Sequence, residues 1–243
     1  MSDAIDFMNM EGLKFFGRVN ASISHELKNI LAIISETVGF SNDLIDLTEQ
    51  GEKLKLPLFK SCNESIVEEI QRGFDTIKQM NKFAHSVDVP IKETDLLETL
   101  MLSIKLSSFL SFASHVQITS QGEETKSVLT CPFLLQNLIY QILIFIYKSI
   151  GPDGQINIQL NSKKNDGTQI LFSCPTQLSL DGFPTQKIQK IIAILGVELN
   201  MNEFLNELDI WIPNDSKKII VLEKELQMYS YTEKSDNESS KNS

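Results

Sequence analysis

Six consecutive residues near the start of the chain, Ser24-His25-Glu26-Leu27-Lys28-Asn29, carry side chains whose types and spacing suit phosphoryl chemistry. A neutral imidazole nitrogen can attack phosphorus in line, and its second nitrogen then needs a hydrogen-bond partner to fix the tautomer. Glu26 follows His25 directly and is placed to be that acceptor or to act as general base. Asn29 lies one helical turn on, where a carboxamide can orient a water or the phosphoryl group. Relative to Ile23 and Leu27, His25 lies about 160–200° around a helix turning ~100° per residue, so it points away from the packed side.

Periodicity shows what holds this turn. Over residues 10–50, Ile23, Leu27, Ile30 and Ile34 keep the 4-3-4 spacing of a coiled-coil-like seam, with Phe16 before and Val38 after. Gln50-Gly51-Glu52-Lys53 is a polar break, and Leu56-Pro57 suits the start of a second helix over about 58–83. In that helix Ile66, Ile70, Phe74, Ile77 and Met80 are in register. Two long helices with a short connection predict an antiparallel hairpin, which buries only part of its apolar surface; dimerisation into a four-helix bundle would complete it. With the turn near residue 53, the position opposite His25 is near 81, and His85 lies about a turn away. His85 is therefore an alternative acceptor, part of a docking surface, or a helix-ending residue favoured by the dipole. His115 opens a strand candidate and has no flanking site.

Val87-Asp88-Val89-Pro90 reads as a linker, since Pro90 cannot continue the helix. Beyond it strand and helix patterns mix: a helix over 95–112, short strands over 115–120 and 127–131, and a helix from Pro132 to about 149. Gly151-Pro152-Asp153-Gly154 is a turn, 156–160 alternates as a half-buried strand, and Asn165-Asp166-Gly167 leads a hairpin into 168–172. A helix over 186–195 ends at Gly196, and strands near 197–201 and 208–212 close the domain. The fold class is α+β multidomain. Residues 1–9 form a leader, 10–86 the hairpin, 87–93 a linker, 94–213 an α/β sandwich, and 214–243 a tail, disordered from about 232. Lys217 to Glu223 adds a strand or a helix.

Composition removes several function classes. A formal charge of -10 repels nucleic acid phosphates. Cys62, Cys131 and Cys174 are far apart and lack Cys-x-x-Cys spacing, which predicts reduced, buried thiols of a cytoplasmic protein, with neither a disulfide nor a metal site. The longest apolar run, 134–146, is interrupted by Gln136, Asn137 and Gln141 and reads as a core helix with no membrane span. The N-terminus has no basic n-region of a signal peptide.

The run from Phe16 through Gly17-Arg18-Val19-Asn20-Ala21-Ser22 and the His25 turn to Ile30-Leu31-Ala32 resembles the dimerisation and histidine-phosphotransfer segment of two-component histidine kinases. There the His is the phosphoacceptor, and Glu-x-x-Asn/Thr, matched by Glu26 and Asn29, supports dephosphorylation of a partner receiver domain. Many relatives carry Pro where this chain has Ile30, so a straighter helix is expected. The second half resembles the ATP-binding domain of those kinases in its order of elements, most clearly at 187–199 and 208–213. Its functional boxes differ. Ile144 or Phe145 stands where an Asn should reach Mg²⁺, and Asn137 and Gln141 fall too early in the helix. Ser173-Cys174-Pro175-Thr176-Gln177 replaces the Asp-x-Gly-x-Gly box, and Asp181-Gly182 is all that remains of a second glycine box.

The resemblance thus implies a phosphotransfer hairpin joined to a degenerate kinase-like domain, as in ChpT-type histidine phosphotransferases. It implies a cytoplasmic homodimer that relays a phosphoryl group through His25 between receiver-domain aspartates of response regulators. The chain itself would bind no cofactor, with Mg²⁺ held by the receiver, and would not act as its own ATP-dependent kinase. Lys28, Leu31 and Phe83 are the docking candidates. Two other readings stay open: a pseudokinase binding module or response-regulator phosphatase using Glu26 and Asn29, and a true sensor kinase with a divergent ATP site.

Overall fold

The computed structural model describes residues 2–108, 115–121, 127–151, 153–163, 167–214 and 216–239. The chain forms two compact units: Gly17–Ala84, and a second unit that combines Met1–Phe16 with His85–Ser243.

The first unit is a helical hairpin. Helix α1 spans Ser2–Glu49, 48 residues without a break, and contributes to this unit from Gly17 on. It ends where the Gly51 backbone takes φ +98°, a left-handed value that glycine adopts without a Cβ penalty. The N–H groups of Gln50, Gly51 and Glu52 donate to the carbonyls of Asp46, Thr48 and Leu47, covering the helix end. Helix α2, Leu56–Ala84, returns. Val19, Ile23, Ile30 and Leu44 of α1 are buried, and Leu27 and Ile34 are half-buried, so the expected seam forms. Val38, placed at its end by spacing, is exposed.

On α2 the apolar residues in register lie mostly outside, with Ile66 half-buried. The buried positions are Cys62, Thr76 and Phe83, whereas Ile70, Phe74, Ile77 and Met80 are exposed, Phe74 by 64%. Gly73 is half-buried, and Ile30 stands opposite it. Gly73 and Thr76 add no apolar signal to the covered side, so the most hydrophobic stripe of α2 is the one a single hairpin leaves uncovered.

The second unit is built on a five-stranded sheet ordered β2-β4-β5-β7-β6. Its strands are β2 (His115–Gln121), β4 (Gln155–Lys163), β5 (Gly167–Ser173), β6 (Glu198–Asn202) and β7 (Glu207–Pro213). Only β2 and β4 run parallel; every other neighbouring pair in this sheet is antiparallel. A separate antiparallel pair joins β1 (Lys92–Asp95) to β3 (Ser127–Thr130), so part of the expected linker is a strand. Helices α3 (Leu96–Ser108), α4 (Pro132–Ile150) and α5 (Gln186–Leu195) supply the apolar cover. The fold is therefore a long-helix region followed by an α/β sheet domain, as the patterning predicts. Residues 109–112 of the expected third helix, Pro152 of the turn, and Asn165-Asp166 of the hairpin signal lie outside the described residues.

Helix α4 is the centre of this core: Leu134, Leu135, Leu138, Ile139, Ile142, Leu143 and Ile146 are buried. By length and composition alone it could cross a membrane, and most of it is packed inside the unit. One terminal expectation changes. The first residues do not form a separate leader: Ile5 and Phe15 of α1 are buried, and Phe7 and Met8 pack against the core. Phe15 meets Phe133 and Tyr140 at ring distances of 5.3 and 5.2 Å. The tail is helical over much of its length: helix α6 runs Lys217–Ser239. Ile219 and Leu222 anchor its start, and once nucleated a helix propagates through Glu- and Lys-rich sequence at little cost per residue.

Candidate functional site

His25 lies on the open surface of the hairpin, as its angular offset from the seam requires. Its nearest polar partner is Asn29, whose Nδ2 stands 3.2 Å from the imidazole Nδ1. An amide NH₂ can only donate, so in this arrangement Nδ1 accepts and the neutral ring carries its proton on Nε2. Half a turn of the amide would present Oδ1 instead, and would favour the tautomer with its proton on Nδ1 and a lone pair on Nε2. Asn29 thus reaches the ring that Glu26 was expected to orient.

Glu26 is engaged elsewhere. Arg72 Nη2 of α2 donates to its Oε1, while Arg72 Nη1 donates to both carboxylate oxygens of Glu69, each at 3.2 Å. Among the described residues no hydrogen bond joins Glu26 to His25. Burial alone would lower the Arg72 pKa, but the Glu26 hydrogen bond and charge, with Glu69 behind, raise it. Arg72 therefore joins the His turn from about two turns before the position near 81 expected opposite it. Long Glu and Arg side chains bridge along a hairpin where short ones would meet only their direct neighbours. The pairing spans 46 residues of sequence, and no local signal announces it.

The docking candidates divide. Lys28 is exposed and Leu31 is 65% exposed, both on the His25 helix. Phe83 is fully buried, so its ring belongs to packing and offers no docking surface. His85 opens a short 3-10 turn, His85–Val87, after α2 has ended, and its Nδ1 lies 2.7 Å from Asp88 Oδ2. His115 lies in β2.

The degenerate boxes of the α/β unit also have positions. Asn137 is fully buried, with its Oδ1 accepting from Gln141 Nε2 at 2.8 Å. Phe145 stacks on Phe183, rings 4.0 Å apart and 18° from parallel. Asp181-Gly182 forms a tight turn in which Phe183 N–H donates to Leu180 O and Gly182 takes φ +71°. Cys62, Cys131 and Cys174 are unpaired and buried; burial pushes the Cys131 and Cys174 thiols up to about 11, which keeps them as unreactive thiols. Among the described residues no three His, Cys, Asp or Glu side chains are grouped to hold a metal ion.

No protein-family model matches the chain, and no curated protein matches its sequence significantly. Several solved structures are similar to it. The Acinetobacter baumannii histidine kinase AdeS shares 10% identity at a TM-score of 0.43, over 79% of this chain and 98% of that one. The histidine kinase domain from the blue-light activated kinase EL346 of Erythrobacter litoralis shares 10% at 0.43, over 76% and 96%. The cytoplasmic segment of histidine kinase QseC shares 17% at 0.40, over 60% and 95%. At these identities the likeness assigns no residue a role, and the site stands on its own geometry.

Proposed function

We propose that this chain is a histidine phosphotransferase of two-component signalling, of the ChpT type. It takes a phosphoryl group from a receiver-domain aspartate onto His25 and passes it to another receiver. The observation that carries the reading is an exposed imidazole whose Nδ1 is held by a side-chain amide, beside an acid and an arginine, within a run resembling the phosphoacceptor segment of histidine kinases. Lys28 and Leu31 flank the ring for docking. Mg²⁺ belongs to the receiver.

The chain works without ATP of its own. A Phe145–Phe183 stack, a buried Asn137 and a plain Asp-Gly turn, where the kinase family has its nucleotide boxes, support this. The exposed α2 stripe of Ile70, Phe74, Ile77 and Met80 supports a homodimer that completes a cytoplasmic four-helix bundle.

A second reading is favoured by two contacts. With Glu26 paired to Arg72 and Asn29 on the imidazole, the same residues suit promotion of receiver dephosphorylation.

Labelled phospho-receiver and labelled ATP, each with wild type and His25→Ala, decide between these. Label from the receiver alone, lost in His25→Ala, is the expected result. Label from ATP overturns the loss of the nucleotide site. Receiver dephosphorylation that survives His25→Ala establishes the phosphatase.

A further inference from the structure

The chain has two arginines among 22 basic residues, Arg18 and Arg72, and one of them is bonded to the residue next to His25. Its setting is unusual for a structural ion pair. The Arg72 side chain is 46% exposed, whereas its carboxylate partners Glu26 and Glu69 are 12% and 16% exposed. The guanidinium therefore faces solvent on the hairpin, with the acids behind it. A planar guanidinium matches two phosphoryl oxygens as well as it matches a carboxylate, which a lysine ammonium does not.

Resting on the phosphotransfer reading above, we infer that Arg72 is the phosphoryl-binding group of the His25 site, and that Glu26 holds its place until a phosphoryl group arrives. The ligand class is the tetrahedral phosphoryl group of an acyl phosphate or of phosphohistidine. In the step, the Asn29 amide turns to present Oδ1, so that His25 carries its proton on Nδ1 and attacks phosphorus through Nε2. The P–N bond forms as the P–O bond of the aspartyl phosphate breaks, and the carboxylate leaves with the electron pair. The ring then loses its Nδ1 proton to water. The equatorial oxygens carry negative charge throughout, and Arg72 exchanges its Glu26 hydrogen bond for one or two of them. Glu69 keeps the guanidinium anchored from its own helix while that exchange takes place.

The test uses the whole protein and two donors: phosphoramidate, which needs no partner, and a labelled phospho-receiver. With two arginines, the ¹⁵N spectrum holds two Nε–H signals, which Arg18→Lys assigns. Phosphoramidate treatment should shift the Arg72 signal and leave the Arg18 signal in place. Arg72→Lys should slow transfer from the phospho-receiver about 10- to 100-fold, less than the roughly 100- to 1,000-fold seen when a preorganised donor is lost outright because lysine keeps the charge, with the thermal midpoint unchanged. A phosphorylated His25 with an unmoved Arg72 signal overturns the inference and leaves the function standing. Should Arg72→Lys fail to fold, the wild-type spectrum alone decides. A His25 that takes no phosphoryl group from either donor overturns the function and the inference together.

Discussion

The hairpin and the α/β unit treat their polar groups in opposite ways. Along α1 the imidazole of His25 and the amide of Asn29 lie outside, bonded to each other and open to a partner. Along α4 the amides of Gln136 and Asn137 are buried within an aliphatic core, and an aromatic stack fills the helix's later turns. On paper α1 is amphipathic and α4 is apolar nearly all round. The difference lies in what the rest of the chain places against them: a second helix covers one face of α1, while a sheet and three helices enclose α4. Reactive groups stay available on an element covered on one side only.

Four perturbations break or sharpen that contrast. The largest falls in the enclosed region. Leu138→Ala should cost about 2–5 kcal/mol, because the site is fully buried between packed elements that cannot collapse. Denaturant unfolding of the α/β unit reads this out, and a value under about 1 kcal/mol would mean the core is looser than described. On the hairpin the matching change, Phe74→Glu, touches a residue already 64% exposed. The monomer fold should hold within about 0.5 kcal/mol, while sedimentation shifts from dimer to monomer. Unchanged association would overturn the proposal that this stripe forms a dimer interface.

The third perturbation uses pH. Glu11 of α1 is buried and bonded to Lys14 at 3.0 Å and to Lys187 of α5. Burial raises its pKa, but the hydrogen bonds and charges of Lys187 and Lys14 outweigh this and hold it below its ordinary value of 4.5. Its contribution to stability is therefore present above that value and lost as pH falls through the depressed folded pKa. Glu11→Gln should lower neutral-pH stability by about 1–2 kcal/mol and flatten the acid limb of the α/β unit's stability curve. An acid limb of unchanged slope would assign it to other carboxylates. The smallest effect is again on the hairpin. A Cβ added at Gly73 would meet Ile30 Cγ2 at 3.8 Å, an ordinary contact. Gly73→Ala should therefore raise the thermal midpoint, with a gain of about 0.5–1 kcal/mol from helix propensity. A lowered midpoint would show that α1 and α2 pack more closely than this.

Local patterns were strong enough to place most elements. Helix α5 was read at its own bounds, because Thr185 caps it, with its hydroxyl accepting from Ile188 N–H, and Gly196 ends it at φ +68°. The strands 156–160 and 168–172 were recovered with their ends short by one to three residues, where pairing extends past the apolar alternation. The strand at 92–95 was missed, since Lys-Glu-Thr-Asp carries no apolar signal and exists through its pairing with 127–130.

The sequence by itself determined that His25 is exposed and that Asn29 can reach it. Both follow from helical geometry, in which neighbours three or four residues apart share a face. It also determined that the 132–150 helix is a core element, because interrupted hydrophobicity on all sides suits burial in protein. Only the tertiary structure decided that Glu26 faces Arg72 and not the imidazole, that Phe83 is inside, and that the apolar stripe of α2 is outside. Those outcomes depend on which face of one helix meets another far away in the chain. Spacing fixes the faces a helix has; packing selects which of them is covered.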